Sequence, residues 1–111
     1  MKILIIEDEI RSAKELQRML LQIDDTNDIV KIIDSVEDAT HYILENPAID
    51  LIFSDVQLVD GNSFEIYKSV QVHCPIIFCT AFDEYTMEAF DTNAVSYILK
   101  PVTIEKIEVA L

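Results

Sequence analysis

Three acidic residues in succession, Glu7, Asp8 and Glu9, stand directly behind the apolar run ILII. A fourth carboxylate, Asp55, follows the apolar run LIFS, the hydroxyl of Thr80 follows IIFC, and the lone ammonium of Lys100 follows YIL. If these runs are neighbouring strands, Glu7, Asp8, Asp55, Thr80 and Lys100 stand on one rim. Carboxylates gathered there repel by roughly 4 kcal/mol per close pair at an effective dielectric of about 20, so a cation must compensate them. Hard oxygen donors in a shallow, open site suit Mg²⁺, which takes one or two carboxylates and keeps several waters. A metal alone gives Thr80 and Lys100 no purpose. An ammonium, a hydroxyl and a divalent cation around one carboxylate are what a phosphoryl group requires once it is attached to Asp55. The chemistry implied is an aspartyl phosphate.

The composition narrows the alternatives. With 111 residues, half of them hydrophobic, the chain buries one core and forms one domain. Eight basic residues against 21 acidic ones give a net charge of −13, which repels nucleic acid and anionic lipid. No apolar run approaches the ~20 residues of a membrane helix, and the first residues turn acidic too soon for a secretion signal, so a cytoplasmic location is expected. Gly61 is the only glycine. Loops that cradle nucleotide phosphates need two or three, which excludes those ligands. Cys74 and Cys79 on one extended strand would be about 16 Å apart, too far for a disulfide, and read as buried reduced thiols.

Five solid apolar segments read as buried strands: residues 2–6, 28–34, 50–55, 75–79 and 95–99. Helical spacing lies between them. The first helix sets Ile10, Ala13, Leu16, Leu20 and Ile23 along one face. The second opens at Ser35, with Asp38 three residues on as in a capping box, and stops before Pro47. The third starts near Gly61 or Asn62 and uses Phe64, Tyr67 and Val70. The fourth starts at Asp83 or Glu84. The fifth runs from Thr103 with Ile104, Ile107 and Leu111 inward. Strict alternation of strand and helix predicts right-handed crossovers and a parallel sheet covered on both faces, with its site beyond the carboxyl ends of the strands.

At these residues the chain resembles a response regulator receiver domain of bacterial two-component signalling, over essentially its whole length. The matching stretches are IIEDE, LIFSDVQLVDG, IIFCTA and SYILKP. The resemblance implies a flavodoxin-like doubly wound sheet of five parallel strands in the order 2-1-3-4-5. It makes Asp55 the phosphoacceptor and gives Mg²⁺ the ligands Glu7, Asp8, Asp55 and the backbone carbonyl of Gln57. It casts Thr80 and Lys100 as the groups contacting the phosphoryl oxygens, Thr80 and Tyr97 as the switch pair, and the Lys100–Pro101 peptide as cis. Such a domain is a switch that assists its own phosphorylation and slow dephosphorylation and is not an enzyme acting on a separate substrate. Its partners would be a sensor histidine kinase and, once phosphorylated, a second copy through the fourth helix, fifth strand and fifth helix. It would bind neither nucleic acid nor membrane.

Three positions depart from the commoner pattern: Glu7 stands where many receivers carry aspartate, Val59 where they carry proline and Ser63 where they carry glycine. The stretch VQLVDGNSFEIY is most similar to receivers of LytTR-type transcriptional regulators, which implies a DNA-binding output domain absent from residues 1–111 and a truncated last helix. Gln57 and Phe82, two residues beyond Asp55 and Thr80, are expected to flank the path of an attacking water.

Plainer readings stand beside these. Glu7, Asp8 and Glu9 could be an acidic first helical turn facing the helix dipole. Tyr97 could be a core residue only. His41 and His73 read as surface residues. A receiver-like interaction module that is never phosphorylated is the alternative function. A flavin carrier of the same architecture is disfavoured because EDE presents carboxylates where a phosphate would sit.

Overall fold

The computed structural model describes residues 1–111. The five expected strands are β1 (Lys2–Ile6), β2 (Asp28–Ile33), β3 (Leu51–Ser54), β6 (Ile76–Thr80) and β7 (Ala94–Leu99). A hairpin unseen in the sequence, β4 (Gln57–Leu58) with β5 (Gly61–Asn62), lies between them. The main sheet is parallel throughout and runs β2-β1-β3-β6-β7. Counted over the five core strands that order is 2-1-3-4-5, the doubly wound, flavodoxin-like arrangement. Residues of β1, β3 and β6 are buried on both faces, which is why they read as unbroken apolar runs.

Alternate strand residues supply two cores. Ile3, Ile5, Phe53 and Ile77 pack with α1 (Ile10–Ile23) and α5 (Ile104–Ala110). Leu4, Ile6, Ile52 and Phe78 pack with α2 (Val36–Glu45), α3 (Phe64–Ser69) and α4 (Thr86–Phe90). The helices therefore lie on both faces, two against three.

The helical faces differ in detail from the spacing. Ile10 is 70% exposed because it opens α1 beyond the sheet, and Met19 is buried alongside Leu16 and Leu20. In α3, Ile66 is buried with Phe64 and Val70, while Tyr67 is only partly covered. In α5, Ile107 is fully buried, but Leu111 lies past the last helical residue and is half exposed. The fourth helix begins at Thr86, later than expected, and has one buried residue, Ala89. No helix is long and apolar enough to cross a membrane.

Candidate functional site

The carboxyl ends of β1, β3, β6 and β7 converge on one rim, because parallel strands deliver their last residues to the same edge. Glu7 and Asp8 follow β1, Asp55 follows β3, Thr80 ends β6 and Lys100 follows β7. One carboxylate oxygen each from Glu7, Asp8 and Asp55 lies within 4.8 Å of the others. Lys100 reaches back across β6 and β3: its Nζ donates to Glu7 Oε1 at 2.6 Å and to Asp55 Oδ2 at 2.9 Å. The other oxygen of Asp55 accepts from the Val56 N–H at 2.6 Å, and its backbone N–H is held by the Ile6 carbonyl. Glu7 is anchored through its backbone N–H to the Ile33 carbonyl, and its Oε2 accepts from the Glu9 N–H.

Two of the three carboxylates, Glu7 and Asp55, share one ammonium. Burial pushes the Glu7 carboxyl up to about 7; the Asp55 charge adds to this, while the Lys100 hydrogen bond opposes it. Burial disfavours the Lys100 charge, yet the hydrogen bonds to Glu7 and Asp55 outweigh it and hold that ammonium above its ordinary range. The two shifts differ in cause: burial dominates at Glu7, and the bonds to the two carboxylates together dominate at Lys100. With all three acids ionised, one ammonium leaves two negative charges uncompensated, which fits a divalent cation bound by hard oxygens.

Thr80 is fully buried, with its Oγ1 accepting a 3.4 Å bond from the Phe82 N–H and its carbonyl holding the Lys100 N–H at 2.8 Å. It thus fixes the backbone that presents Lys100. Tyr97 is partly exposed; its hydroxyl donates to the Phe82 carbonyl and its ring centroid lies 6.4 Å from that of Phe78. It points to the β6–α4 loop. The Gln57 side chain donates to the Tyr85 hydroxyl at 3.0 Å, and Phe82, 41% exposed, packs edge-on against Tyr85. The Lys100–Pro101 peptide is cis. His41 and His73 are exposed, and both cysteines are free.

Sequence reasoning missed the direct bond between Glu7 and Lys100, having assigned Glu7 only to the metal. The extra methylene of glutamate, noted as a departure, was the available signal. It also missed Tyr85 and Asp60. Asp60 closes the β4–β5 turn and accepts from the Val36 and Glu37 N–H groups at 2.7 and 3.1 Å. Its carboxyl is held below the usual range by those bonds, that from Val36 foremost.

The sequence profile of the response regulator receiver domain matches residues 3–111. The chain is 37% identical over 110 residues to the sensory transduction protein LytT of Bacillus anthracis, covering 96% of this chain and 44% of that protein. It is 40% identical over 114 residues to the transcriptional regulatory protein LytR of Staphylococcus aureus strain N315, covering 100% and 46%. The chain thus spans less than half the length of these curated relatives. Among solved structures, the response regulatory domain of protein mrkE from Klebsiella pneumoniae superposes with a TM-score of 0.86 at 28% identity, over 99% of this chain and 91% of that one.

Proposed function

Since the chain belongs to the response regulator receiver domain family, we propose that it is a phosphorylation-operated switch in which Asp55 accepts a phosphoryl group from a histidine kinase. The observation that carries this reading is the convergence of Glu7, Asp8, Asp55 and Lys100, from three separate strand ends, on a pocket with surplus negative charge. A carboxylate oxygen of Asp55 forms a bond to phosphorus as the P–N bond of the phosphohistidine breaks, and the imidazole nitrogen keeps the electron pair. Glu7, Asp8, Asp55 and the Gln57 carbonyl would hold Mg²⁺, which when bound neutralises charge on the phosphoryl oxygens. The hydrogen bonds from Val56 and Lys100 orient the Asp55 carboxylate before transfer. The kinase would approach the groove of about 450 Å³ beside the pocket, lined by Glu7, Arg11, Met19, Lys100 and Val102.

The phosphoryl group carries nearly two negative charges in place of the carboxylate's one, and these redirect the Lys100 ammonium and the Thr80 hydroxyl to the phosphoryl oxygens. Moving Thr80 loosens its contact with the Phe82 N–H, and the same loop carries the carbonyl that binds Tyr97. The change thereby reaches the surface formed by α4, β7 and α5, where Met87, Phe90, Val95, Leu99 and Val109 are exposed. We assign that surface to dimerisation of the phosphorylated form. Residues 1–111 are the receiver unit of this scheme, a cytoplasmic regulator whose output region lies outside them.

Incubation with acetyl phosphate and Mg²⁺, followed by intact-mass measurement, tests the reading. One added phosphoryl group, absent without Mg²⁺ and absent in Asp55→Asn, is the expected result. An unchanged mass in the intact chain would instead identify an interaction module that is never phosphorylated.

A further inference from the structure

Lys106 sits in the first turn of α5, where a positive charge opposes the helix dipole. The Thr103 side chain, which caps this helix, accepts from the Lys106 backbone N–H at 3.2 Å and so fixes the residue there. Its side chain turns away from the helix. The Nζ donates to the Leu99 carbonyl at 3.0 Å and to the Pro101 carbonyl at 3.0 Å, gripping the backbone on each side of Lys100. β7 is the edge strand of the sheet, so it has no neighbouring strand on its outer side to receive its outward carbonyls. On the inner side the Lys100 N–H is held by the Thr80 carbonyl. Lys100 is therefore clamped from both directions, by β6 inside and by α5 outside.

We infer that Lys106 is a positioning residue for Lys100: its ammonium straps the strand end that delivers the Lys100 side chain to Glu7 and Asp55. The inference rests on Lys100 serving the phosphoryl site as proposed above. The strap acts at short range, because the two gripped carbonyls belong to the residues immediately before and after Lys100. A lysine costs helix stability at this position, and the two carbonyl bonds offset that cost. The strap also ties α5, part of the proposed dimer surface, to the cation at the centre of the pocket.

The test uses Lys106→Met, which keeps the apolar stem and removes the donors, Lys106→Arg, whose forked guanidinium again reaches two carbonyls, and Lys68→Met as a charge-matched control on exposed α3 surface. Two readouts are taken beside the melting temperature: the NMR signal of the Lys100 side chain in lysine-labelled protein, and the initial rate of phosphorylation by acetyl phosphate with Mg²⁺. Lys106→Met is expected to displace the Lys100 signal and to slow phosphorylation about tenfold, short of the ~10²-fold that a full ångström of misplacement costs. Lys106→Arg should restore both and Lys68→Met should disturb neither. A Lys100 signal that stays in place in Lys106→Met, or a slowed rate that Lys106→Arg leaves unrestored, overturns the inference. The Lys100 signal decides the positioning role without any phosphorylation, whereas a wild-type chain that takes no phosphoryl group, strap intact, refutes the functional reading itself.

Discussion

Lys100 is shared between Glu7 and Asp55, so its removal has two opposite consequences. Without the ammonium the three carboxylates present a stronger negative field, and Lys100→Met is expected to bind Mg²⁺ about tenfold more tightly, roughly 1.4 kcal/mol, as measured by calorimetric titration. The same variant loses a donor to the phosphoryl oxygens and should phosphorylate more slowly. Weaker Mg²⁺ binding in Lys100→Met would show that the lysine organises the metal site instead of competing with it. Directly beneath the pocket, Cys79 is buried and its thiol is pushed up to about 12 by that burial, with Asp55 and Glu7 adding and Lys100 opposing. At pH 8 such a thiol is about 10⁻⁴ thiolate, too little to react. In Cys74→Ser, Ellman's reagent should therefore find no thiol in the native protein and one in denaturant; rapid native labelling would mean that β6 opens readily. The residues of the site were legible because each ends an apolar run. Which acid Lys100 would grip was not, since that depends on side-chain reach across two strands.

At the level of elements, α2 shows how a loop near the pocket is fixed. Its first three N–H groups, which no helix can satisfy internally, are all filled by side chains: Val36 and Glu37 by Asp60, and Asp38 by Ser35. Ser35 was readable as a cap from its place before the helical run, but Asp60 was not, because it is contributed from 24 residues further along by the β4–β5 turn. That hairpin escaped the sequence reading for a related reason: strands of two residues carry no periodicity. Gly61 marks it in retrospect, with φ at 151° and space for a Cβ only if the Glu65 carboxylate moves. The long parallel strands, by contrast, were legible within a residue or two, because burial on both faces demands solid apolar runs. Asp60→Ala should cost about 1 kcal/mol, the usual worth of a helix cap, and lower the melting temperature by several degrees. Asp60→Asn, which retains one acceptor oxygen, should lose less. Equal losses would show that charge at the helix terminus matters more than the bonds.

For the whole molecule the dominant quantity is the net charge of −13. The proposed dimer surface shares that excess: from Asp83 to Leu111 the acids are Asp83, Glu84, Glu88, Asp91, Glu105 and Glu108, against the cations Lys100 and Lys106. Lys100 is committed to the pocket and Lys106 to two backbone carbonyls, so neither is free to pair with a partner's carboxylate. Attraction between two copies must then come from the exposed Met87, Phe90, Val95, Leu99 and Val109, working against like-charge repulsion. Phosphorylation replaces the single charge of the Asp55 carboxylate with a phosphoryl group carrying nearly two, a net gain of about one negative charge per copy, so its contribution to dimerisation is through the shape of this surface and not through its charge. Salt screens the repulsion, over a Debye length of about 8 Å at ~0.15 M, and leaves the apolar contact intact. The dimer of the beryllofluoride-treated protein should therefore tighten as NaCl rises from about 0.02 to about 0.3 M, by up to roughly tenfold in dissociation constant, in sedimentation velocity experiments. A dimer that loosens over that range would be held by ion pairs across the interface, and would have to use a face other than α4, β7 and α5.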